Sequence, residues 1–76
     1  MNEQKSEISP VKAERLKKRY VQETVAKAAG ITIQHLYNIE KGIAIPSVII
    51  ARKIAKFFDK QVEELFLLEE EELING

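Results

Sequence analysis

Residues 28–42, AAGITIQHLYNIEKG, are typical of two helices separated by a very short link. Gly30 ends the first of them, because glycine adopts the left-handed conformation that stops a helix. Thr32 offers a hydroxyl cap to the second helix, and Gly42 ends it. The link of Gly30, Ile31 and Thr32 leaves room only for a sharp turn. We therefore expect the two helices to cross near a right angle, with the second projecting from the body.

Further helices are predicted on both sides of this pair. Ser9 and Pro10 begin a first helix that runs to about Arg19, and the helix that Gly30 ends begins at about Gln22. Ser47 caps a fourth helix that runs to about residue 58, and a short fifth helix follows near 62–66. Strict β-alternation occurs only briefly, in GIAIP. The predicted fold class is all-α, a compact bundle of five helices.

The apolar spacing predicts which side chains each helix turns inward. The first helix contributes Ala13, Leu16 and Tyr20, at intervals of three and four. The inward residues expected from the next three helices are Val25, Ala26, Ala29, Leu36, Ile39, Val48, Ile50, Ala51, Ile54, Ala55 and Phe58.

The chain of 76 residues is long enough for one domain only, and its polarity and charge distinguish this domain from the two ends of the chain. We expect a disordered arm over 1–8, the helical domain over 9–68 and an acidic tail over 69–76. Residues 1–60 hold all 12 Lys and Arg and carry a net charge of +6, whereas 61–76 hold six acids and no base. This asymmetry fits a polyanion partner, and it also fits a dipolar soluble domain without one. The tail is either a solvated end, an extension of the last helix or a competitor for the basic face.

Several classes of function lack their chemical groups in this sequence. There is no cysteine, and the single histidine, His35, stands without a Cys or Asp cluster, so no metal site is expected. Neither a nucleophile pattern nor a phosphate-binding loop is present, so we expect no cofactor and no enzyme. The start MNEQKSEIS has no apolar signal core, and no apolar run is long enough to span a membrane. We expect a soluble, cytoplasmic protein with no membrane partner.

The ordered motifs QETVAKAAG, ITIQHLYNIEKG and IPS, continued by ARKIAKFFDKQVEELF, resemble one known family. They are similar to the helix-turn-helix of Cro-like phage repressors, also called the xenobiotic-response-element family. The family's opening Gln is Gln22 and its turn glycine is Gly30, while its I-E-x-G and x-P-S motifs stand at 39–42 and 45–47. The resemblance covers about residues 13–66. It implies a lambda-repressor-like DNA-binding bundle, in which the helix after Gly30 enters the major groove.

On that basis, base contacts are expected from the recognition helix and its cap, namely Thr32, Ile33, Gln34, His35 and Asn38. A Gln amide matches N6 and N7 of adenine in a bidentate pair, worth about 1–3 kcal/mol of discrimination. Ile33 either packs on a thymine methyl group or is an ordinary surface isoleucine. His35 either faces the groove or is simply exposed. Asn38 reaches a base edge or a phosphate.

Contacts to the DNA backbone are expected from Lys17, Lys18, Arg19, Gln22, Tyr37 and Lys41. Gln22 stands at a helix start, where free backbone N–H groups and the positive end of the helix dipole favour a phosphate. Its amide either bonds that phosphate or reaches a base, and the other interpretation is an ordinary solvent-exposed residue. Each phosphate that a basic side chain neutralises releases a counterion, so affinity should fall steeply with salt.

More apolar side chains are present than a small core requires, and we assign Ile49, Phe57, Leu67 and Leu68 to a homodimer interface. The other interpretation is a larger core closed by the tail. Helix-turn-helix domains usually dimerise, since one helix reads few bases. Double-stranded DNA and a second copy of the chain are therefore the expected partners.

The functional hypothesis is a sequence-specific transcriptional regulator, a repressor that binds an inverted-repeat operator as a homodimer. The choice of repressor rests on the resemblance alone. The alternative is a protein-interaction module with the same fold, an antitoxin or anti-repressor. It would use Ile33, Ile43 and Ile45 against a protein partner that the sequence does not identify.

Overall fold

The computed structural model describes residues 9–66, which form five helices. These are α1 (Pro10–Lys17), α2 (Gln22–Ala29), α3 (Ile33–Glu40), α4 (Val48–Phe58) and α5 (Val62–Leu65). The described segment contains no strand, and the all-α prediction is confirmed. The predicted arm over 1–8, the acidic tail over 69–76, and Leu67 and Leu68 lie outside the described residues.

Three helices begin at a hydroxyl cap that the sequence predicted. The Oγ of Ser9 accepts a hydrogen bond from the amide of Lys12 at 3.2 Å, and the hydroxyls of Thr32 and Ser47 make the matching bonds at 3.0 and 3.2 Å. Each cap contributes about 1 kcal/mol by satisfying an amide that the helix itself cannot. In contrast, α2 follows Val21, whose side chain has no capping oxygen.

The first four helices end in the same hydrogen-bonded turn. At the end of α1 the amide of Arg19 donates to the carbonyl of Leu16, and the amide of Tyr20 donates to that of Arg15, both at 3.0 Å. This Schellman turn needs a positive φ at its penultimate residue. The residues in that place are Arg19 (φ 63°), Gly30 (φ 71°), Gly42 (φ 79°) and Asp59 (φ 60°).

The two glycine stops were predicted, and the two non-glycine stops were not. A left-handed conformation costs a residue with a Cβ roughly 1–2 kcal/mol, so α1 and α4 end in strained turns. At α1 this also moves the end of the helix to Lys17, two residues before the predicted Arg19.

One core is built from apolar side chains of all five helices and the residue after the last. α4 packs against α2 and α5, while α2 also packs against α3, and α1 packs against α5. The buried apolar residues are Val11, Val25, Ala26, Ala29, Leu36, Ile39, Ala51, Ile54, Ala55, Phe58, Leu65 and Phe66. The inward faces predicted for α2 and α3 are confirmed.

The inward face predicted for α1 is wrong. Ala13 is exposed and the side chain of Leu16 is 47% exposed, whereas Val11, Glu14 and Arg15 are buried. Val11, Glu14 and Arg15 follow the same spacing of three and four, but two of them are charged, so the apolar pattern concealed the buried face. Tyr20 lies beyond the helix and covers the ring of Phe57, with ring centroids 5.1 Å apart.

Val48 was also predicted to face inward and is 45% exposed. It is the first residue of α4, and helical side chains point back toward the helix N-terminus. The side chain of Val48 therefore projects past the neighbouring helices instead of packing between them. Ile50, also predicted inward, is half-buried.

Candidate nucleic-acid interface

The helix α3 divides into a buried face and an outer polar face. Leu36 is fully buried and Ile39 nearly so, which fixes the helix against α2 and the core. Gln34 and Tyr37 are exposed, Asn38 is half-buried, and Lys41 follows the helix end. Positions 34, 37, 38 and 41 are spaced by three and four, so these side chains share one face. The structure thus brings together four of the residues that the sequence singled out.

Side chains on this outer face interact with one another. Gln34 Nε2 donates a hydrogen bond to Asn38 Oδ1 at 3.1 Å. The Nζ atom of Lys41 lies 5.8 Å from the centroid of the Tyr37 ring, within range of a cation–π contact. The face is therefore polar, with one cation at its C-terminal end. Ile33 and Thr32 are exposed at the start of the helix, and His35 is half-buried beside them.

A buried ion pair joins the end of α3 to α1. Arg15 Nε donates to Glu40 Oε2 at 2.7 Å, and Arg15 Nη2 donates to Glu40 Oε1 at 3.1 Å. The side chains of Arg15 and Glu40 are only 9% and 1% exposed. Two parallel bonds between a guanidinium and a carboxylate fix both partners in direction as well as in distance.

Two further bonds extend this pair into a network. Arg15 Nη1 donates to the carbonyl of Tyr20 at 2.9 Å, which ties down the link after α1. Gln22 Nε2 donates to Glu40 Oε1 at 3.1 Å. The first residue of α2 and the last residue of α3 are thereby connected to α1. Because α1 packs mainly against α5, this network supplies the polar connection between α1 and α3.

Sequence reasoning noted Glu40 in a family motif but gave it no role, and it placed Arg15 on no face. The only signal in the sequence was a glutamate directly after Ile39, which the apolar spacing places inward. Neither residue reveals its partner, because the two stand 25 positions apart.

Comparison with known proteins identifies the family. The sequence model of the helix-turn-helix family matches residues 11–65, most of the chain. The chain belongs to the helix-turn-helix family of transcriptional regulators. The resemblance seen in the sequence is thus confirmed, and the family consists of DNA-binding regulators and not of enzymes.

Relatives come from bacteria and archaea. The chain is 43% identical over 61 residues to YgzD of Bacillus subtilis, an uncharacterised HTH-type transcriptional regulator, covering 80% of this chain and 92% of YgzD. It is 38% identical over 63 residues to an uncharacterised HTH-type transcriptional regulator of Archaeoglobus fulgidus, covering 83% of this chain and 89% of that protein. Among solved structures, it is similar to C.AhdI, a restriction-modification controller protein from Aeromonas hydrophila. The TM-score is 0.69 at 28% identity, with 75% of this chain and 86% of C.AhdI covered.

In the helix-turn-helix formed by α2 and α3, Gln22 occupies the first position. Its half-buried side chain is held by Glu40 and so is fixed beside the N-terminus of α2. No capping side chain competes for the first amides of α2, since Val21 precedes it. This geometry leaves backbone N–H groups and one amide side chain together at the positive end of a helix dipole.

Three of the four basic residues predicted to contact phosphates lie at the end of α1, and the fourth, Lys41, follows α3. Lys17, Lys18 and Arg19 are all exposed. Lys18 Nζ lies 3.5 Å from Glu14 Oε2, whose carboxylate is largely buried. That oxygen accepts no well-oriented hydrogen bond within residues 9–66, so the contact with Lys18 is an electrostatic attraction without a defined direction.

The helix-turn-helix is followed by an exposed apolar segment. Ile43, Ile45 and Ile49 are each at least 63% exposed. Phe57, assigned with Ile49 to a dimer interface, is half-buried against the core and lies 5.3 Å from the ring of Phe58. Ile49 therefore offers a free apolar surface, whereas much of Phe57 is already covered.

The described residues contain no group of three His, Cys, Asp or Glu side chains arranged to hold a metal ion. Among them, too, no helix has the length and apolarity needed to cross a membrane.

Proposed function

We propose that the chain is a cytoplasmic, sequence-specific repressor of transcription, which binds an inverted-repeat DNA site as a homodimer. The observation that carries this proposal is the outer face of α3. It displays Gln34, Tyr37, Asn38 and Lys41 on a helix held rigidly by Leu36 and by the Arg15–Glu40 pair. A helix with an exposed polar face and a fixed orientation is what a major groove accepts.

Base edges would be read from the start and outer face of α3. In this proposal the base-contacting residues are Thr32, Ile33, Gln34, His35 and Asn38. Gln34 is exposed and carries both a donor and an acceptor, as adenine recognition requires. Thr32 has a double role, since its hydroxyl oxygen already accepts from the amide of His35 while its hydrogen stays free to donate.

Phosphates on either side of the groove would be held by side chains around that helix. The proposed backbone contacts are Lys17, Lys18, Arg19, Gln22, Tyr37 and Lys41. Gln22 is the best supported of these, because Glu40 holds its amide next to the free N–H groups of α2. The lysines and Arg19 would supply attraction that does not depend on sequence.

A homodimer is proposed because one recognition helix specifies too few base pairs. Two copies related by a two-fold axis would place their α3 helices in successive major grooves, about 34 Å apart. Ile49 is 67% exposed and offers the apolar contact that such an interface needs. The operator would then be an inverted repeat, matching the symmetry of the protein.

The test is a selection of bound sites from random duplexes, with sedimentation of the free and bound protein. We expect an inverted repeat with half-sites about one helical turn apart, bound by two protomers. A single unrepeated site bound by one protomer would contradict the dimer. Failure to bind any duplex at low salt would contradict the function as a whole.

A second candidate, a protein-interaction module such as an antitoxin or anti-repressor, is favoured by one observation. Ile43 and Ile45 are exposed in the loop after α3, and Ile33 is exposed at the start of α3, where a DNA reader often carries polar groups. The two functions differ in their response to salt, because binding to phosphates weakens steeply as salt rises and apolar docking does not.

A further inference from the structure

A cleft with a volume of about 340 Å³ lies between α1 and α5. Its lining residues include Ala13, Glu14 and Lys17 of α1, Lys60 in the link before α5, and Glu64 and Leu65 of α5. Of these residues, only Lys17 is among the proposed DNA contacts. The cleft is therefore a separate feature of the fold that adjoins the proposed phosphate contacts at the end of α1.

The cleft presents two ammonium groups, those of Lys17 and Lys60. Both lysines are exposed, and in the described part of the chain neither forms an ion pair. The two acids of the cleft already have partners. Glu14 Oε2 lies 3.5 Å from Lys18 Nζ, and Glu64 Oε1 accepts a hydrogen bond of 2.8 Å from the backbone amide at the N-cap of α5. The cleft therefore has two unpaired cations to offer to an anionic segment.

The chain itself carries such a segment within reach. The last described residue, Phe66, directly follows Leu65 in the wall of the cleft. Residues 69–72, which we call the acidic run, are four consecutive glutamates, and no base follows Phe66. An extended chain spans at most about 3.6 Å per residue, so Glu69 lies within ~11 Å of Phe66 and Glu72 within ~22 Å. The acidic run therefore starts only a few residues from the two lysines.

We propose that the cleft between α1 and α5 binds the acidic run of the same chain, and that this contact competes with DNA for Lys17. Carboxylates of the run pair with Lys17 and Lys60. The competition rests on the DNA binding proposed above and adds to it a built-in limit on affinity, whereas the docking itself needs no DNA.

The contact is strong enough to reduce DNA binding and too weak to abolish it. A single exposed ion pair contributes little, because water and salt screen it. The short tether compensates, since it gives the acidic run an effective concentration of about millimolar at the cleft. A phosphate of DNA must therefore displace the run before it can bind Lys17. Duplexes held by many phosphate contacts displace it readily, so the run acts mainly against weakly bound, non-specific DNA.

The decisive variant is Lys60→Gln, tested by duplex binding at increasing salt. Lys60 is outside the proposed DNA contacts, and removing a cation ordinarily weakens binding to DNA. If Lys60 holds the acidic run, Lys60→Gln should instead tighten binding by about 2–5-fold at low salt, the effect of losing one exposed ion pair. The gain should disappear as salt rises. Lys56→Gln removes the same charge from an exposed lysine that does not line the cleft, and it should not tighten binding.

A second variant removes the charge of the acidic run by changing all four of its glutamates to glutamine. This chain should bind duplexes more tightly than the parent, and Lys60→Gln should add nothing further to it. If Lys60→Gln tightens binding equally with and without the acidic run, or fails to tighten it at all, the competition is overturned. Thermal melts establish that the variants are compared as folded domains.

The docking has a readout without DNA, in ¹H–¹⁵N spectra of the full chain. Backbone amides of Lys17, Lys60 and Leu65 should differ between the parent and the all-glutamine variant at low salt and coincide at high salt. Identical spectra at low salt overturn the docking. Different spectra in a chain that binds no duplex support the docking and overturn the proposed function, and the competition with it.

A mixing experiment tests whether the acidic run binds its own chain. Isotope-labelled all-glutamine variant is mixed with unlabelled parent, so that only a run from another copy could reach the labelled cleft. We expect the labelled spectrum to stay unchanged, because the tether favours the chain's own run. Shifts at Lys17 and Lys60 would show docking between copies and overturn docking within one chain.

Discussion

Arg15 and Glu40 form a two-bonded ion pair across 25 residues of sequence, with both side chains at least nine-tenths buried. The pair lies where α1, α2 and α3 meet, and every charged oxygen of Glu40 accepts a hydrogen bond. Burying two charges is favourable only when such a network satisfies them. The pair therefore fixes α3 relative to α1 and α2, and it also stabilises the fold.

Removing one member of this pair should severely destabilise the fold. Glu40→Gln leaves the Arg15 guanidinium buried without its counter-charge, a change that typically costs about 3–5 kcal/mol. A domain of this size is stable by only roughly 4–11 kcal/mol, so a large fraction would be lost. Urea unfolding measures this loss of unfolding free energy. The matched control is the double variant Arg15→Leu with Glu40→Leu, which leaves no charge behind and should cost much less. Equal losses in both would contradict a charge-based explanation.

Replacing the strained residue at the end of α1 should stabilise the domain. Arg19→Gly removes a Cβ from a backbone with φ 63°, which relieves roughly 1 kcal/mol after the greater freedom of glycine in the unfolded chain is subtracted. Asp59→Gly, in the same turn of α4, should act in the same direction. The reverse change, Gly30→Ala, should destabilise. Its new Cβ would meet only Lys53 Nζ at 3.9 Å, so backbone strain and not a clash is the cause. Thermal melts of the three variants show whether each substitution raises or lowers the melting temperature.

Gln34 and Lys18 should affect DNA binding differently. Gln34→Ala should lower the ratio of specific to scrambled affinity, because a base contact carries sequence information. Lys18→Ala should weaken binding to all duplexes alike and reduce the salt slope by about 0.9, the share of one phosphate contact. Lys56→Ala, an exposed lysine on α4, is the control and should change neither. Equal losses on specific and scrambled duplexes for Gln34→Ala would rule out base reading by that residue.

Ile49 should contribute to dimerisation and not to folding. Its side chain is largely exposed in the protomer, so Ile49→Glu should change the unfolding free energy by less than about 0.5 kcal/mol. In a homodimer the same change would place two charges in the interface and weaken association, which sedimentation at a series of concentrations measures. Phe57→Ala is the comparison and should destabilise the protomer, because Phe57 packs on Tyr20 and Phe58. An unchanged association constant for Ile49→Glu would remove Ile49 from the interface.

The sequence by itself determined the helices and most of their ends. Ser9, Thr32 and Ser47 were identified as caps, and Gly30 and Gly42 as stops, because each acts on amides or carbonyls a few residues away. Such signals act within about one helical turn, so the local sequence contains all the residues that they involve. For the same reason the bounds of α2 agree with the prediction.

Only the tertiary structure decided which charged residues are inside. Arg15 and Glu14 displace Leu16 from the buried face of α1, and this depends on Glu40, 25 residues later, being present to pair with Arg15. The left-handed Arg19 likewise has no glycine to mark it in the sequence; it directly precedes Tyr20, whose carbonyl accepts from Arg15 and whose ring packs on Phe57. A burial pattern read from apolar spacing assumes that charges stay in water, and a satisfied buried ion pair breaks that assumption.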